Sequence, residues 1–476
     1  MTELLMPDIC VIGAGSGGLS VAAAAAALGA SVALIEKGKM GGDCLNYGCV
    51  PSKALIAASK RVASIRGAAA FGVVTERPKI NFLDVHRHIE NVIAAIAPND
   101  SKERFTALGV RVVQGAARFK DAATLLVDNE DIEIRARRFV IATGSTPAIP
   151  PINGLASVPY LTNETVFDLT TCPKHLIVIG AGPTGLELAQ AFVRLGAAIT
   201  VLEAASPLSH DDAECAEIVL DQLAREGLTL RTGVEVRRVN RARGKIQVVI
   251  ANGVGEETIE GSHLLLATGR RPDIDDLALD AAGIKHGHAG ITVDKRLRTT
   301  NRRVYAVGDV VGGPLFTHAA NYHASLVLRS ALLRLPAKVD YNLMSWVTYT
   351  DPELAQAGLT EAAARGRGRS IRILRWPYHE NDRAHAEGET KGYIKVITTK
   401  HGRILGATIV GTGAGEMIAT WALAVAQRLN IRAFVGTMIP YPTFAEIGKR
   451  AGLSYFTARL TSPMLRRIIS VLRRFG

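Results

Sequence analysis

The sequence predicts an α/β protein that carries two copies of a strand–turn–helix nucleotide-binding unit, and three observations support this. A glycine-rich turn occurs twice between an apolar strand and a helix, at Gly13 to Gly18 and at Gly180 to Gly185. An acid follows each first glycine by 23 positions (Glu36, Glu203), and Leu-Gly-Ala begins 15 positions after it, at Leu28 and Leu195. A cysteine pair, Cys44 and Cys49, follows the first copy directly.

The first copy runs from the strand Ile9 to Ile12 through Gly13-Ala14-Gly15-Ser16-Gly17-Gly18. A helix containing the alanines Ala22 to Ala27 follows, then a strand from Val32 to Ile35 ending in Glu36. The second runs from Leu176 to Ile179 through Gly180-Ala181-Gly182-Pro183-Thr184-Gly185 to a strand ending in Glu203. In such a crossover the first glycine makes the turn and the second lets backbone approach a pyrophosphate. The third permits close helix–strand packing. Pyrophosphate charge sits on the helix N-terminus. The closing carboxylate accepts hydrogen bonds from ribose hydroxyls and repels a 2′-phosphate. One such glycine motif is weak evidence; two with strands, helices and acids in place are strong. Two dinucleotides are expected.

Residues 41 to 53 read Gly-Gly-Asp-Cys-Leu-Asn-Tyr-Gly-Cys-Val-Pro-Ser-Lys. A regular helix would keep sulfurs five residues apart, so the segment must be distorted if Cys44 and Cys49 bond. Gly48 allows a tight bend, and Pro51 fits a first helical turn. A cysteine at a helix N-terminus has its thiolate stabilised by the dipole and free N–H groups. The motif reads as a reversible disulfide whose second sulfur is easily kept as thiolate; two structural thiols are the alternative. The first copy leads into this pair, so its nucleotide should exchange electrons with sulfur. Flavin does that, whereas nicotinamide delivers hydride.

With 476 residues, 48% of them hydrophobic, the chain can form two or three domains with their own cores. Five cysteines with one close pair do not make a secreted disulfide framework; Cys10, Cys172 and Cys215 read as bystanders. The N-terminus lacks a signal-peptide layout and no run is apolar enough to span a bilayer, so a cytoplasmic protein is expected. The net charge is +12, of which residues 459–476 supply five arginines and no acid. Ser462-Pro463 reads as the cap and first turn of a basic amphipathic helix there. It suits either an anionic membrane surface or packing on the protein's own body or a partner subunit. No basic, aromatic-interleaved groove suggests nucleic acid.

Taken together, these motifs resemble those of the flavoprotein disulfide reductases, which include dihydrolipoyl dehydrogenase, glutathione reductase and mercuric reductase. Ala142-Thr143-Gly144, Ala267-Thr268-Gly269, Tyr305-Ala306-Val307-Gly308-Asp309 and Thr350-Asp351-Pro352-Glu353 extend the resemblance over nearly the whole chain. It implies two Rossmann-like domains, for FAD and NAD, and a C-terminal α+β dimerisation domain. The FAD domain would span 1–150 and 273–338, the NAD(P) domain 151–272, and the interface domain, which pairs subunits into a homodimer, 339–476.

The resemblance also implies roles. Cys49 would be the charge-transfer thiolate beside the flavin and Cys44 the sulfur facing substrate. Lys53 would lie near flavin N5 with Glu187 as its ion-pair partner. Gly13, Gly15, Gly18, Glu36, Thr143, Gly144 and Asp309 would hold FAD, and His318-Ala319 would open a helix aimed at the flavin's N1/O2 edge. Gly180, Gly182, Gly185, Glu203 and Gly269 would hold the nicotinamide coenzyme. No arginine follows Glu203 through Ser209, which favours NADH over NADPH.

The chain departs from the family at one place. Where these reductases carry His-Pro-Thr-x-x-Glu, it reads Tyr441-Pro442-Thr443-Phe444-Ala445-Glu446. A phenol has an unperturbed pKa of about 10 against about 6.5 for imidazole, so it accepts a proton poorly at neutral pH. Mercuric reductases place a tyrosine near this point, and a soft metal ion binds thiolate without a histidine shuttle. Their C-terminal cysteine pair and N-terminal Cys-x-x-Cys domain have no counterpart in this sequence. The expected function is an NAD(P)H-dependent flavoprotein oxidoreductase, mercuric-reductase-like, passing electrons through Cys44–Cys49 to a metal ion, quinone or unusual disulfide. Dihydrolipoyl dehydrogenase is the alternative enzyme, and a membrane-docked redox-responsive binding protein the alternative of another class.

Overall fold

The computed structural model describes residues 3–128, 131–253, 255–368, 370–460 and 463–475. Two compact units form. One comprises Met1–Gly180, Ala191–Leu202 and Val234–Val339, the other Ala181–Gln190, Glu203–Gly233 and Asp340–Gly476.

The first unit is organised by a five-stranded parallel sheet in the order Val304–Ala306, Arg138–Ile141, Ile9–Ile12, Val32–Glu36, Val110–Gln114. Its inner strands Ile9–Ile12 and Val32–Glu36 read as near-continuous apolar runs because both faces are covered, whereas the edge strand Val110–Gln114 exposes Arg111 and Gln114. Ile9 and Val11 point into a core with Val21, Ala22 and Ala25 of the helix Ser16–Ala27 and with Ala324 and Val327 of the helix Thr317–Ala331. Cys10 and Ile12 point the other way, into a core with Phe119, Leu125 and Ile134. Those three come from a four-stranded sheet, Glu3–Leu5, Ile132–Ile134, Leu125–Val127, Ala117–Phe119.

The same unit holds the parallel strands of the second copy, His175–Ile179 flanked by Ala198–Glu203 and His263–Leu266. Ile177 and Ile179 pack on Val248 and Ile250 of an antiparallel sheet, Glu235–Ala242, Lys245–Asn252, Gly255–Gly261. The chain leaves the first sheet along Ser145–Pro147 and returns along Arg270–Pro272, and these two segments pair antiparallel. The two Ala-Thr-Gly motifs clasp each other there: Asp273 N donates to Gly144 O (3.1 Å) and Ala148 N to Gly269 O (3.0 Å). The Thr143 hydroxyl donates to Asp273 O at 2.7 Å and the Thr268 hydroxyl to Ala148 O at 2.8 Å.

The second unit centres on a five-stranded antiparallel sheet, Ser345–Thr348, Glu353–Gly358, Ile404–Gly411, Tyr393–Thr399, Ile371–Pro377. The helices Ala414–Ala426 and Glu446–Leu460 cover one face, and Trp421 stacks on Phe434 at 3.9 Å in the core. The buried Lys395 ammonium lies 2.7 Å from Asp212, 2.8 Å from Glu214 and 3.3 Å from Glu361, so its charge is paired. The last helix spans Pro463–Leu472. The expected cap, Ser462, lies outside the described residues. No helix among the described residues is long and apolar enough to cross a membrane.

Candidate active site

The first glycine turn is shaped by backbone crowding. Gly13 has φ +103°, its N–H donates to Ile35 O at 2.8 Å, and a Cβ there would collide with the Ala142 carbonyl oxygen. A Cβ on Gly18 would collide with the Gly13 carbonyl oxygen, which is why that helix packs so closely. A Cβ on Gly42 would lie 2.6 Å from the Cα of Gly15. The helix Ser16–Ala27 begins with no acid in its first turn and no side-chain cap, so its first N–H groups suit an anionic phosphate. The Glu36 carboxylate accepts from Ala14 N and from Gly38 N, each at 2.6 Å, which fixes it at the strand end. Its remaining lone pairs suit ribose hydroxyls. The cradle fits the adenosine diphosphate half of FAD.

The second copy repeats this. Gly180 has φ +109°, its N–H donates to Leu202 O at 2.8 Å, and a Cβ there would collide with the Ala267 carbonyl oxygen. The Glu203 carboxylate accepts from Ala181 N (2.8 Å) and Ala205 N (2.9 Å). Gly185 is buried in the helix Pro183–Arg194 and Gly269 sits at φ +110°. A Cβ on Gly182 would meet nothing within 4 Å among the described residues.

The cysteine segment is two helices, Gly42–Asn46 and Cys49–Gly67, broken at Tyr47-Gly48. The break is tightly packed: a Cβ on Gly48 would lie 2.8 Å from an Asp43 carboxylate oxygen and 3.2 Å from the Asp43 carbonyl oxygen. Both sulfurs are free thiols here. Hydrogen bonding to Cys44 pulls the Cys49 thiol down to about 6 against the opposing effect of burial. The Thr317 hydroxyl, 3.5 Å from Cys49 Sγ, and the charge of Lys53 assist. The same bond, followed by burial, raises Cys44. Lys53 Nζ donates to Ser52 Oγ at 3.3 Å.

A polar network surrounds the pair that the sequence reading missed. Arg270 Nη2 donates to Asp43, the neighbour of Cys44, at 3.0 Å, and Arg270 Nε donates to Ser145 Oγ at 2.7 Å. The Ser145 hydroxyl donates to Asp309 at 2.6 Å. Asn163 donates to Asp43 (3.1 Å) and to Tyr47 O (3.3 Å), pinning the helix break. Burial raises the Asp309 carboxyl above its usual range, while Ser145 and the Arg270 charge oppose this. Gly308, at φ +74°, donates its N–H to His323 Nδ1 at 3.1 Å; burial pushes that histidine down to about 4, so it stays a neutral acceptor. His318 stacks on Phe316 with centroids 5.2 Å apart, and Ala319 is buried in the same helix. Position in the sequence offered two clues: Asp43 precedes Cys44 and Arg270 follows Gly269.

In the second unit, Glu187 is buried and accepts from Tyr349 N at 2.9 Å. Tyr441 is exposed, and its hydroxyl donates to Asp382 at 2.7 Å rather than to Glu446. That bond raises the phenol above its ordinary value. Glu446 opens the helix Glu446–Leu460 and pairs with Arg450 at 3.2 Å. Asp382 had no signal in the sequence, lying 59 positions away.

Comparison with known proteins places this geometry. Residues 7–324 match the family model described as pyridine nucleotide-disulphide oxidoreductase, and residues 344–451 match the dimerisation domain of the same family. A mercuric reductase of Streptomyces lividans is 34% identical over 94% of this chain and 96% of its own. A dihydrolipoyl dehydrogenase of Geobacillus stearothermophilus is 34% identical over 93% and 95%. Among solved structures, LpdA from Mycobacterium tuberculosis matches with a TM-score of 0.87 at 26% identity, over 96% of this chain and 100% of that one. The Cu(II) complex of the HOCl-induced flavoprotein disulfide reductase RclA from Escherichia coli matches at 0.85 and 26%, over 95% and 100%.

Proposed function

The chain belongs to the pyridine nucleotide-disulphide oxidoreductases, and from that membership we propose that it is an NADH-driven reductase whose Cys44/Cys49 dithiol delivers electrons to a thiophilic metal ion. The family is FAD-dependent and uses NAD(P)H, and its dimerisation domain supports a homodimer. When bound, FAD supplies the link between a two-electron hydride donor and the sulfurs.

The chain's own residues do the following. Gly13, Gly15, Gly18 and Glu36 seat the first dinucleotide, with Thr143 and Gly144 closing the turn and Asp309 held by Ser145. Gly180, Gly182, Gly185, Glu203 and Gly269 seat the coenzyme. Glu203 is followed by Ala204-Ala205-Ser206, with no cation to receive a 2′-phosphate, which supports NADH. Cys49 enters as thiolate. An incoming Hg(II) or Cu(II) ion binds it and displaces the Cys44 proton to solvent. Two electrons then leave the sulfurs, for one Hg(II) or two Cu(II), and a Cys44–Cys49 disulfide forms. Soft thiolate ligands favour such ions.

One observation carries the choice of acceptor: the Tyr441 hydroxyl donates to Asp382, which raises its pKa. A dithiol substrate such as dihydrolipoamide needs a base at neutral pH, and this phenol is not one. The names of the relatives support the same class, since one is a mercuric reductase and another structure is a copper complex. Steady-state oxidation of dihydrolipoamide by wild type and Tyr441→His tests it. The wild type should be slow and the variant faster by about 10²-fold, the usual scale of general-base catalysis. Robust wild-type turnover would instead favour dihydrolipoyl dehydrogenase, a name carried by relatives of equal identity.

A further inference from the structure

The chain ends in a helix that its own unit leaves uncovered. In Pro463–Leu472, every described residue except the half-buried Leu465 is exposed, Met464 by 73% and Leu472 by 61%. One more turn follows, with Arg473 N donating to Ile469 O at 2.9 Å and Phe475 N to Leu472 O at 3.0 Å; Phe475 is 83% exposed. At helical pitch Met464, Leu465, Ile468, Ile469, Val471, Leu472 and Phe475 share one arc of roughly 160°, and no charged residue falls inside it. Arg466, Ser470 and Arg474 lie opposite, and Arg467 and Arg473 border the apolar arc on its two sides. No acid occurs from Ile447 to the last residue.

We propose that this helix is an in-plane anchor that docks the enzyme on an anionic lipid bilayer. The helix is too short to span the hydrocarbon, which takes about 20 residues. A flat protein partner would cover the apolar arc or the arginines, but not both. A bilayer surface takes both at once: apolar side chains enter the acyl boundary while guanidiniums stay at the phosphates. Every charged residue on the polar face is an arginine, which complements anionic headgroups. The match to the family's dimerisation domain ends at residue 451, before this helix begins. This inference is independent of which acceptor the dithiol reduces.

The test uses the full-length, FAD-loaded protein and vesicles of phosphatidylcholine alone or with one third phosphatidylglycerol. Co-sedimentation should be at least about tenfold greater with the anionic vesicles and should fall as salt rises. Ile468→Asp with Leu472→Asp, and separately Arg466, Arg467, Arg473 and Arg474 all to Gln, should each reduce it about tenfold. FAD content, melting temperature and solution mass should not change. Equal sedimentation of wild type and both variants, or no excess on anionic vesicles, overturns the proposal. So does a halved solution mass in the Ile468/Leu472 variant, which would show that the apolar arc covers a second copy.

Discussion

The two glycine turns are nearly superimposable in their hydrogen bonding and differ in what lies over them. In each, the first glycine donates to the last apolar residue of the second strand, and the alanine after it donates to the closing acid. In each, the residue five past that acid donates back to this alanine: Gly41 to Ala14 O at 3.0 Å, Leu208 to Ala181 O at 3.1 Å. Both of those residues are left-handed, Gly41 at φ +87° and Leu208 at +47°. The first copy then continues into Gly42, which sits against Gly15 and carries the Cys44 helix over the turn. Among the described residues, nothing lies within 4 Å of where a Cβ on Gly182 would sit. A lidded turn suits a cofactor that stays; an open one suits a coenzyme that exchanges. On the proposed assignment, the first copy seats the resident flavin and the second the exchanging coenzyme, and the segment after the acid makes the difference.

The largest effect is expected from crowding both first glycines. Gly13→Ala should yield protein stripped of FAD, read from the 450 nm to 280 nm absorbance ratio. Gly180→Ala should keep its flavin while KM for NADH rises about tenfold or more, matching strain of about 1–3 kcal/mol per forced contact. The opposite pattern would assign the copies the wrong way round. Next comes the lid. Gly42→Ala should lower the melting temperature by several degrees, whereas Gly182→Ala should leave it unchanged and weaken only NADH.

A smaller effect is expected from Arg270→Met. It removes charge-assisted bonds to Asp43 and Ser145, each worth about 1.5–3 kcal/mol at most and less here because the site is partly solvated. Acceptor turnover should fall roughly tenfold as Cys44's helix loses its register, and Arg270→Lys should recover part of it. The mildest test is the pH profile of Cys49 alkylation in the reduced enzyme. Because its pKa is pulled down to about 6, the rate should rise with pH through that value and be near its plateau at pH 7. A free thiol, near 8.5, would still be climbing there. Thr317→Val should move the midpoint upward.

Much of this site was legible in the sequence because it is local. Glycines at fixed offsets, an acid at a strand end and a proline just inside a helix each state a short-range backbone requirement. The polar partners were not legible, because they arise from contacts between distant segments. Asp43 meets Arg270 across 227 positions, and Gly308 meets His323 across a turn into a helix start. Glu36 and Glu203 were read as ribose acceptors, and their second job of holding the glycine turn by backbone N–H groups went unseen. The motif places Glu446 five residues after Tyr441, yet the Tyr441 hydroxyl turns to Asp382, which chain folding alone brings near.

The central claim concerns where the electrons leave the dithiol. The direct measurement is NADH-dependent reduction of Hg(II) and Cu(II), alongside lipoamide and glutathione disulfide, by wild type and Cys44→Ser. The expected result is metal-ion turnover that Cys44→Ser reduces at least a hundredfold, with both disulfides near background. Metal-ion turnover unaffected by Cys44→Ser, or disulfide turnover exceeding it in the wild type, would contradict the account.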